Sequence, residues 1–523
     1  MRLRKRKPGL SEILLVAAVI IVMVTTCLVF IFGFGDKDEQ PGNNLPGSHG
    51  SSDEQSMLLL QKVPKNPNTI QAGEVPSDPN STEGESGYII VSNDNDYSSV
   101  QEPNMAQRMS VIDIGSLGQQ LLDELNAETV AHNAAAVSLV VYDGFSATFY
   151  VYQYGSADRE AARPVVTDTK FRIASLSKLV TTICAMKLVD AGRLDLDEDI
   201  SVYLGYNVRN PNYQSTPITS RMLMQHTSSI HDSSEFDDSI MGRARTSTQS
   251  LLGRSSSYFA RPGSTFLYSN FGLTVLGAVV EKASGLKLDE FAAEVLFKPL
   301  DIDAAFVPSN LTDTGSLAVL YDAGHSVTRT VEHQLTRVNS GELGQDQHLA
   351  QGALVISALD YAKIVAMLGN GGVFLGNRIL SPEAVAEMHR TDVSSAEFKH
   401  GLSTRFTTGG SNSSILAMRG VSTPLWQRED VEDYATWRYR IEGDSYVPTD
   451  GFFWHTGSAY GIFAQYIYMA TQGTNEGVGG VDTSRGVVVV TTGARTARAP
   501  NGMIDICTHL SSIAWIGLGF DEK

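Results

Sequence analysis

Cysteine is scarce in this chain: it has three in 523 residues, at positions 27, 184 and 507. A fold built on several disulfide bonds is therefore excluded. Basic residues are also in deficit, with 40 Lys and Arg against 58 Asp and Glu and a formal net charge of −18. We expect no nucleic-acid partner, because phosphate binding needs a basic surface. Hydrophobic residues make up 42% of the chain, which is enough for a large folded core.

Two signatures of common hydrolases are missing. The sequence has no G-x-S-x-G segment, which an α/β-hydrolase uses to present its nucleophile. It also has no H-E-x-x-H segment, and its 11 histidines are scattered along the chain. We therefore expect no metal ion in the site.

The N-terminal part has the pattern of a membrane anchor. No charged residue occurs in 13–35, and the 20 residues Ile13–Phe32, apolar except for Thr25 and Thr26, would span roughly 30 Å as a helix. Residues 1–12 carry a basic cluster and are predicted to form a cytoplasmic tail, since positive charge stays inside. We predict a transmembrane helix at 13–35, with the rest of the chain outside the cytoplasm. The alternative is a long signal peptide.

Residues 36–110 are rich in Gly, Pro, Ser, Asn, Asp and Glu. Such a segment buries too little apolar surface to offset the entropy lost on ordering. It is predicted to be a disordered extracytoplasmic linker, and residues 111–523 are predicted to form the folded domain.

The folded part combines strands and helices. Residues 137–142 and 148–152 have strand composition, and Asp143-Gly144 between them is a turn signal. Further strands are predicted at 452–454, 462–469 and 487–492, with terminal helices near 117–125 and 503–516. Residues from about 179 to 345 show helical periodicity instead. We predict an α/β fold of the α+β type, an antiparallel sheet flanked by helices with an inserted all-helical region. Residues 391–450 fit neither pattern and are interpreted as an excursion between strands at the rim of the cleft.

Ser175 and Lys178 stand three residues apart at the start of a predicted helix, so they share one face. The backbone N–H of Ser175 in a first turn lacks an intrahelical partner and can stabilise an oxyanion. Burial lowers the proton affinity of a lysine, so Lys178 can accept the serine proton. The alternative is an ordinary surface serine and lysine at a helix start.

Tyr268-Ser269-Asn270 precedes a second helical pattern. A tyrosine close to a lysine can act as a general base or acid, because the positive charge favours the phenolate. The Asn270 amide can donate to a substrate carbonyl and accept from the lysine ammonium. The alternative is a buried tyrosine beside a turn.

His455-Thr456-Gly457 follows the predicted strand 452–454. A glycine there lets a substrate approach the strand closely, and the N–H of Ser458 can be the second oxyanion donor. A peptide-like substrate can then pair with this edge. The alternative is a histidine that packs on Trp454.

In this order, S-x-x-K, Y-x-N and H-T-G resemble the serine β-lactamase and penicillin-binding protein superfamily, most closely its class C branch. The segment 223–229 is similar to the family's L-L-x-H-T-S-G-L motif. The resemblance implies a β-lactamase/transpeptidase-like fold and an acyl-enzyme intermediate without metal or organic cofactor. It also implies a nucleophile at Ser175, a lysine at Lys178, a catalytic tyrosine at Tyr268 and an assisting Asn270.

The chain departs from this family pattern at His455. Members that recognise penicillin usually have lysine there, which attracts the substrate carboxylate, whereas histidine is only partly protonated at neutral pH. We therefore expect a membrane-anchored serine hydrolase for a peptide-like, ester or β-lactam substrate, either a cell-wall D,D-peptidase or a β-lactamase-like enzyme. The alternatives are an esterase or D-aminopeptidase of the same family, or a non-catalytic descendant that binds a peptide or muropeptide. The oligomeric state is left open.

Overall fold

The computed structural model describes residues 109–520, apart from 245, 340, 347, 395–398, 408–450, 471–483 and 497–502. The predicted tail, the predicted membrane helix and residues 36–108 of the predicted linker lie outside this range. Among the described residues, no helix is long and apolar enough to cross a membrane.

Strands account for much of the described chain and are numbered in chain order: β1 Ser110–Asp113, β2 Ala136–Asp143, β3 Thr148–Asp158, β4 Arg163–Pro164, β5 Lys170–Arg172, β6 Leu320–Tyr321, β7 Val327–Arg329, β8 Val355–Ser357, β9 Val373–Phe374, β10 Asn377–Arg378, β11 Val393–Ser394, β12 Lys399–His400, β13 Arg405–Thr407, β14 Phe452–Ala459, β15 Ile462–Met469 and β16 Arg485–Thr492.

The helices are numbered in the same way: α1 Gln119–Ala131, α2 Ser177–Asp190, α3 Ile200–Leu204, α4 Ser220–Met224, α5 Ser234–Ile240, α6 Thr248–Leu252, α7 Asn270–Ser284, α8 Leu288–Ala292, α9 Val331–Leu335, α10 Leu349–Gly352, α11 Ala358–Gly369, α12 Pro382–His389 and α13 Asp505–Gly517.

A large sheet organises the described chain, in the order β1-β3-β2-β16-β15-β14-β13-β12-β11, with β4 paired to β3. Its neighbours are antiparallel except β1 and β3, which are parallel. The predicted antiparallel sheet and its β2–β3 hairpin are confirmed. The central strands bury both faces, because alternate residues of β2 enter different cores. Val140 faces the core that includes α2, α7 and α11, and Val141 faces the core that includes α13.

The inserted region is not all-helical, which corrects the prediction. Within it, β6 and β7 form a small antiparallel pair. The Asp322 carboxylate accepts hydrogen bonds from the N–H groups of Gly324 (2.8 Å) and Ser326 (2.9 Å), and so it closes the turn between these strands. The first part of the unassigned segment 391–450 also contributes strands β11 to β13 to the edge of the large sheet. Its remainder from residue 408 lies outside the described residues.

The two terminal helices are joined by a buried charged network. Glu128 of α1 lies 2.8 Å from His132 Nε2 and 2.7 Å from His509 Nδ1 of α13, and all three side chains are buried. Burial alone would raise the pKa of Glu128, but its close contacts with both imidazoles outweigh this and lower the pKa to about 2. The pKa of His132 is raised, because the Glu128 contact outweighs the burial that lowers it. The network therefore ties the two terminal helices to each other.

We predict that Glu128→Gln lowers the free energy of unfolding by about 3 kcal/mol, since it leaves a buried group without its partner. The carboxylate contribution is lost as pH falls from 4.5 towards 2, and the His132 contribution is lost as pH rises above 6.5. The difference between wild type and variant should therefore be largest between pH 4.5 and 6.5 in urea unfolding. Asp123→Asn, on the exposed side of α1, is the matched control. A pH-independent difference would contradict the ion-pair account.

Candidate active site

Ser175 lies in a tight turn at the entrance to α2. The sequence predicted it in the first turn of an α-helix, but residues Ala174–Leu176 form a 3₁₀ turn and α2 begins at Ser177. Ala174 adopts a φ of 49°, in the left-handed region that is unfavourable for a residue with a Cβ. The Ser177 hydroxyl fixes the turn by donating to Ala174 O (2.6 Å) and accepting from Leu354 N (3.0 Å). The Ser175 side chain is left half-buried at the surface of the cleft.

Lys178 is fully buried and uses all three of its protons. Its Nζ donates to Ser175 Oγ (3.1 Å), to Asn270 Oδ1 (2.8 Å) and to the carbonyl oxygen of Gln351 (2.7 Å). An ammonium group has three N–H donors, so these bonds satisfy the buried charge completely. One side chain thus connects α2, the start of α7 and α10 at the predicted nucleophile.

Asp232 fixes the orientation of the Asn270 amide. Its carboxylate accepts from Asn270 Nδ2 (2.8 Å), from the N–H of Phe271 (2.8 Å) and from the Ser269 hydroxyl (3.1 Å). Because a carboxylate only accepts, the Asn270 nitrogen faces Asp232 and its oxygen faces Lys178. Asp232 therefore sets the acceptor that Lys178 needs.

Tyr268 is positioned by its neighbours at the start of α7. Ser269 caps this helix, since its hydroxyl accepts from Gly272 N (2.8 Å), and its own N–H donates to His226 Nδ1 (3.1 Å). The Tyr268 ring packs on the imidazole of His226, with centroids 4.5 Å apart. The Lys178 ammonium lies 5.1 Å from the centroid of the Tyr268 ring. The segment Tyr268-Ser269-Asn270 thus lies next to Ser175 and Lys178, as the sequence predicted.

The segment His455-Thr456-Gly457 packs against the turn that carries Ser175, and Gly457 makes this contact possible. A Cβ on Gly457 would lie 2.3 Å from the Ile173 carbonyl oxygen and 3.2 Å from Ser175 N, so only glycine allows β14 to approach this closely. Thr456 and Gly457 are buried there, and Ser458 is exposed. The close packing of Gly457 brings β14 next to the N–H of Ser175. That the N–H groups of Ser175 and Ser458 act as the two oxyanion donors remains a prediction.

His455 is not a source of positive charge, which corrects the sequence-based expectation of partial protonation. The side chain is buried, and burial together with Arg405 and Lys178 holds its pKa well below the usual value. Its Nδ1 lies 2.8 Å from the carbonyl oxygen of Thr456, which requires a proton on that nitrogen. His455 is therefore neutral at pH 7.

Arg405 brings a permanent cation to the same cleft. It pairs with Trp454 across β13 and β14, and its Cζ lies 5.0 Å from the Trp454 ring and 6.0 Å from the Tyr268 ring. Burial lowers the pKa of His226, His400 and His455, and repulsion from Arg405 contributes in each case; the pKa of His400 falls to about 3. The three imidazoles are neutral, and the positive charge of the cleft comes from the Arg405 guanidinium and the Lys178 ammonium.

With this geometry established, comparison with known proteins identifies the family. The beta-lactamase family model matches residues 119–504. The chain belongs to the beta-lactamase family. The family predicted from the three motifs is confirmed, and its serine-hydrolase class is supported.

Two curated relatives illustrate the range of this beta-lactamase family. The chain is 33% identical to esterase EstB of Burkholderia gladioli over 33% of this chain and 47% of that protein. It is 31% identical to the D-alanyl-D-alanine-carboxypeptidase/endopeptidase AmpH of Escherichia coli K12, over 34% of this chain and 46% of that protein. The chain thus spans less than half the length of either relative.

Solved structures of the family share the fold. The beta-lactamase/D-alanine carboxypeptidase of Pseudomonas syringae superposes with a TM-score of 0.52 at 17% identity, covering 77% of this chain and all of that chain. The predicted β-lactamase/transpeptidase-like fold is confirmed by this likeness.

Three groups in the site were missed from the sequence. The carbonyl of Gln351 has no side-chain signature. Asp232 stands 38 residues before Asn270, and Arg405 stands 50 residues before His455, so only the folded chain brings them in. The sequence offered one signal for Asp232: it lies three residues after the segment 223–229, which resembles the family motif.

We predict that Asp232→Asn slows acylation of Ser175 by about tenfold or more, because its amide no longer dictates which way Asn270 points. The rate of fluorophosphonate labelling, followed by intact-protein mass, measures the effect. Asp237→Asn on the exposed side of α5 is the matched control. Labelling at the wild-type rate by a folded Asp232→Asn protein would remove Asp232 from the site.

Proposed function

We propose that this protein is a membrane-anchored, extracytoplasmic serine hydrolase that forms an acyl-enzyme at Ser175. Its substrate is an amide or ester of the cell-wall-peptide type, as in a D,D-peptidase or a β-lactamase-like enzyme. The observation that carries the proposal is the Lys178 ammonium, which bonds both the Ser175 hydroxyl and Asn270 in a buried setting. The anchor at 13–35 and the linker are supported by the sequence pattern alone.

The reaction follows from this arrangement in two halves. Ser175 Oγ attacks the substrate carbonyl, and its proton passes to Tyr268 as the phenolate or to Lys178 as the neutral amine, each after that group has released its own proton to solvent. The negative oxygen accepts from the N–H groups of Ser175 and Ser458. The leaving group takes the proton as its bond to the carbonyl carbon breaks. A water molecule then attacks the ester in the same way and releases the acid and Ser175.

The edge of β14 suits a peptide-like substrate. β13 pairs only with Phe452–Trp454, and within the described residues no strand pairs with the segment His455–Ala459 on that side. An extended peptide can add its backbone to such an edge. Arg405 lies at the start of the open segment, where a guanidinium can bind a carboxylate in bidentate fashion. This supports a substrate whose leaving group ends in a carboxylate, although lysine is absent from position 455.

An esterase or D-aminopeptidase of the same family is the second candidate. The observation that favours it is the neutral, buried His455, which distinguishes the cleft from the lysine-containing pattern. The similarity to esterase EstB is in line with this candidate. A non-catalytic muropeptide-binding descendant is the third, and it does not require the complete Lys178 network.

We predict that wild-type protein gains the mass of one fluorophosphonate adduct and that Ser175→Ala gains none. Penicillin, tested separately, should acylate the same residue if the enzyme is of the D,D-peptidase or β-lactamase type. A fluorophosphonate adduct without a penicillin adduct would favour the esterase or aminopeptidase. No adduct on wild type, or an unchanged adduct on Ser175→Ala, would remove the nucleophile assignment.

We also predict that Arg405→Gln lowers kcat/KM at least about tenfold for a D-alanyl-D-alanine peptide with a free carboxylate, since it removes one charge-assisted contact. The loss should be much smaller for the corresponding C-terminal amide. Arg243→Gln is the matched control, because Arg243 is 61% exposed and pairs with Asp238. Equal losses for the acid and the amide would show that Arg405 does not select the carboxylate.

A further inference from the structure

Two arginine side chains lie against one tyrosine beyond the other end of the β14 edge, and a third arginine acts on the same groups. Arg172 ends β5 three residues before Ser175, Arg329 ends β7, and Arg337 follows α9. The ring of Tyr460, two residues after Ser458, has its centroid 4.8 Å from Arg172 Cζ and 3.9 Å from Arg329 Cζ. Arg337 is close enough to act electrostatically on both Arg172 and Tyr460.

This arginine cluster lacks an anionic partner in the described part of the chain, where no carboxylate lies within 4 Å of any of the three guanidinium groups. Two of these side chains donate to backbone carbonyls, Arg172 Nε to Gly352 O (2.8 Å) and Arg329 Nη1 to Thr328 O (2.6 Å). Asp346 acts on Arg337 only from a greater distance. Gathering like charges in partly buried positions costs free energy, which a bound anion would recover.

Neighbouring groups respond to the positive field of the arginine cluster. Burial raises the pKa of Tyr460, yet the three guanidinium groups outweigh it and lower the pKa overall. Burial and the same arginines lower the pKa of His333. Burial and repulsion from Arg337 lower the pKa of Arg172 to about 9, which leaves it charged at neutral pH. The cluster is therefore cationic under physiological conditions.

The arginine cluster borders the predicted oxyanion donor through Tyr460. Ser458 is exposed and Tyr460 is 37% exposed, whereas Arg172 is buried and the other two arginines of the cluster are half-buried. Tyr460 is the first residue of the hairpin turn that follows β14, so the cluster lies beyond the Ser458 end of this strand. If the leaving-group carboxylate binds at Arg405, near the start of the open segment, the acyl half of the substrate extends the other way, towards Tyr460.

We propose that Arg172, Arg329 and Arg337 form an anion subsite for the acyl half of the substrate. The preferred acyl donor then carries a carboxylate on the side of the scissile carbonyl that faces away from the leaving group. Guanidinium groups suit this ligand because their planar forks match a carboxylate. The cleft thus has cationic groups at both ends and selects substrates that are anionic on both sides of the scissile bond. This inference rests on the proposed function for the direction in which the substrate lies.

The experiment compares two p-nitrophenyl esters of adipic acid, one with its far carboxylate free and one with it capped as a methyl ester. We expect wild type to favour the anionic ester in kcat/KM by about tenfold or more at low salt, with a smaller preference at high salt. Arg329→Gln should bring the ratio close to one, and Arg329→Lys should restore part of it. Arg254→Gln, which removes a half-exposed arginine paired with Glu235, should keep the wild-type ratio.

A wild-type ratio near one, or an unchanged ratio in Arg329→Gln, would overturn the anion subsite while acylation at Ser175 stands. If neither ester is turned over, the proposed function fails, and binding decides the subsite separately. Calorimetry with the anionic ester on Ser175→Ala and on Ser175→Ala/Arg329→Gln needs no turnover. Binding that is at least about tenfold weaker in the double variant supports the subsite, and equal binding overturns it.

Discussion

The buried ammonium of Lys178 is the interaction on which the site depends. A charge in the interior is tolerated only when its hydrogen bonds are satisfied, and here the three acceptors come from separate parts of the chain. The 3₁₀ turn at Ser175, the start of α7 and the carbonyl of Gln351 must all be in place at once. The catalytic arrangement is therefore also a packing arrangement, and disturbing one contact leaves a cation without a partner.

The short-range features of the site were predictable from the sequence. Ser175 and Lys178 are close in the chain, and the Y-x-N and H-T-G triplets stand at the ends of elements whose periodicity is clear. The strands 137–142, 148–152 and 487–492 were predicted because their apolar side chains fill both faces of a central sheet. Local geometry and burial patterns are what a sequence records best.

The remaining features depend on long-range packing. Arg405 reaches the cleft only because β13 pairs with β14, and the neutral state of His455 follows from burial that no local pattern reports. The left-handed backbone at Ala174 is imposed by contacts with Ser177 and Leu354, so a helix was predicted where a 3₁₀ turn occurs. The charge pattern of the cleft therefore had to be taken from the structure.

The pairing of β13 with β14 has a consequence for how this protein can vary. Thr407 lies opposite Phe452, so the two ends of the 44-residue connection between them meet at neighbouring positions of the sheet. In general, the free energy of closing a loop grows by only about 0.6 kcal/mol for each doubling of loop length. The position of Arg405 near His455 is set by the pairing of β13 with β14, so it depends little on the length of this connection. A different number of residues between positions 408 and 451 is therefore compatible with the same strand register, and it is this register that sets the position of Arg405.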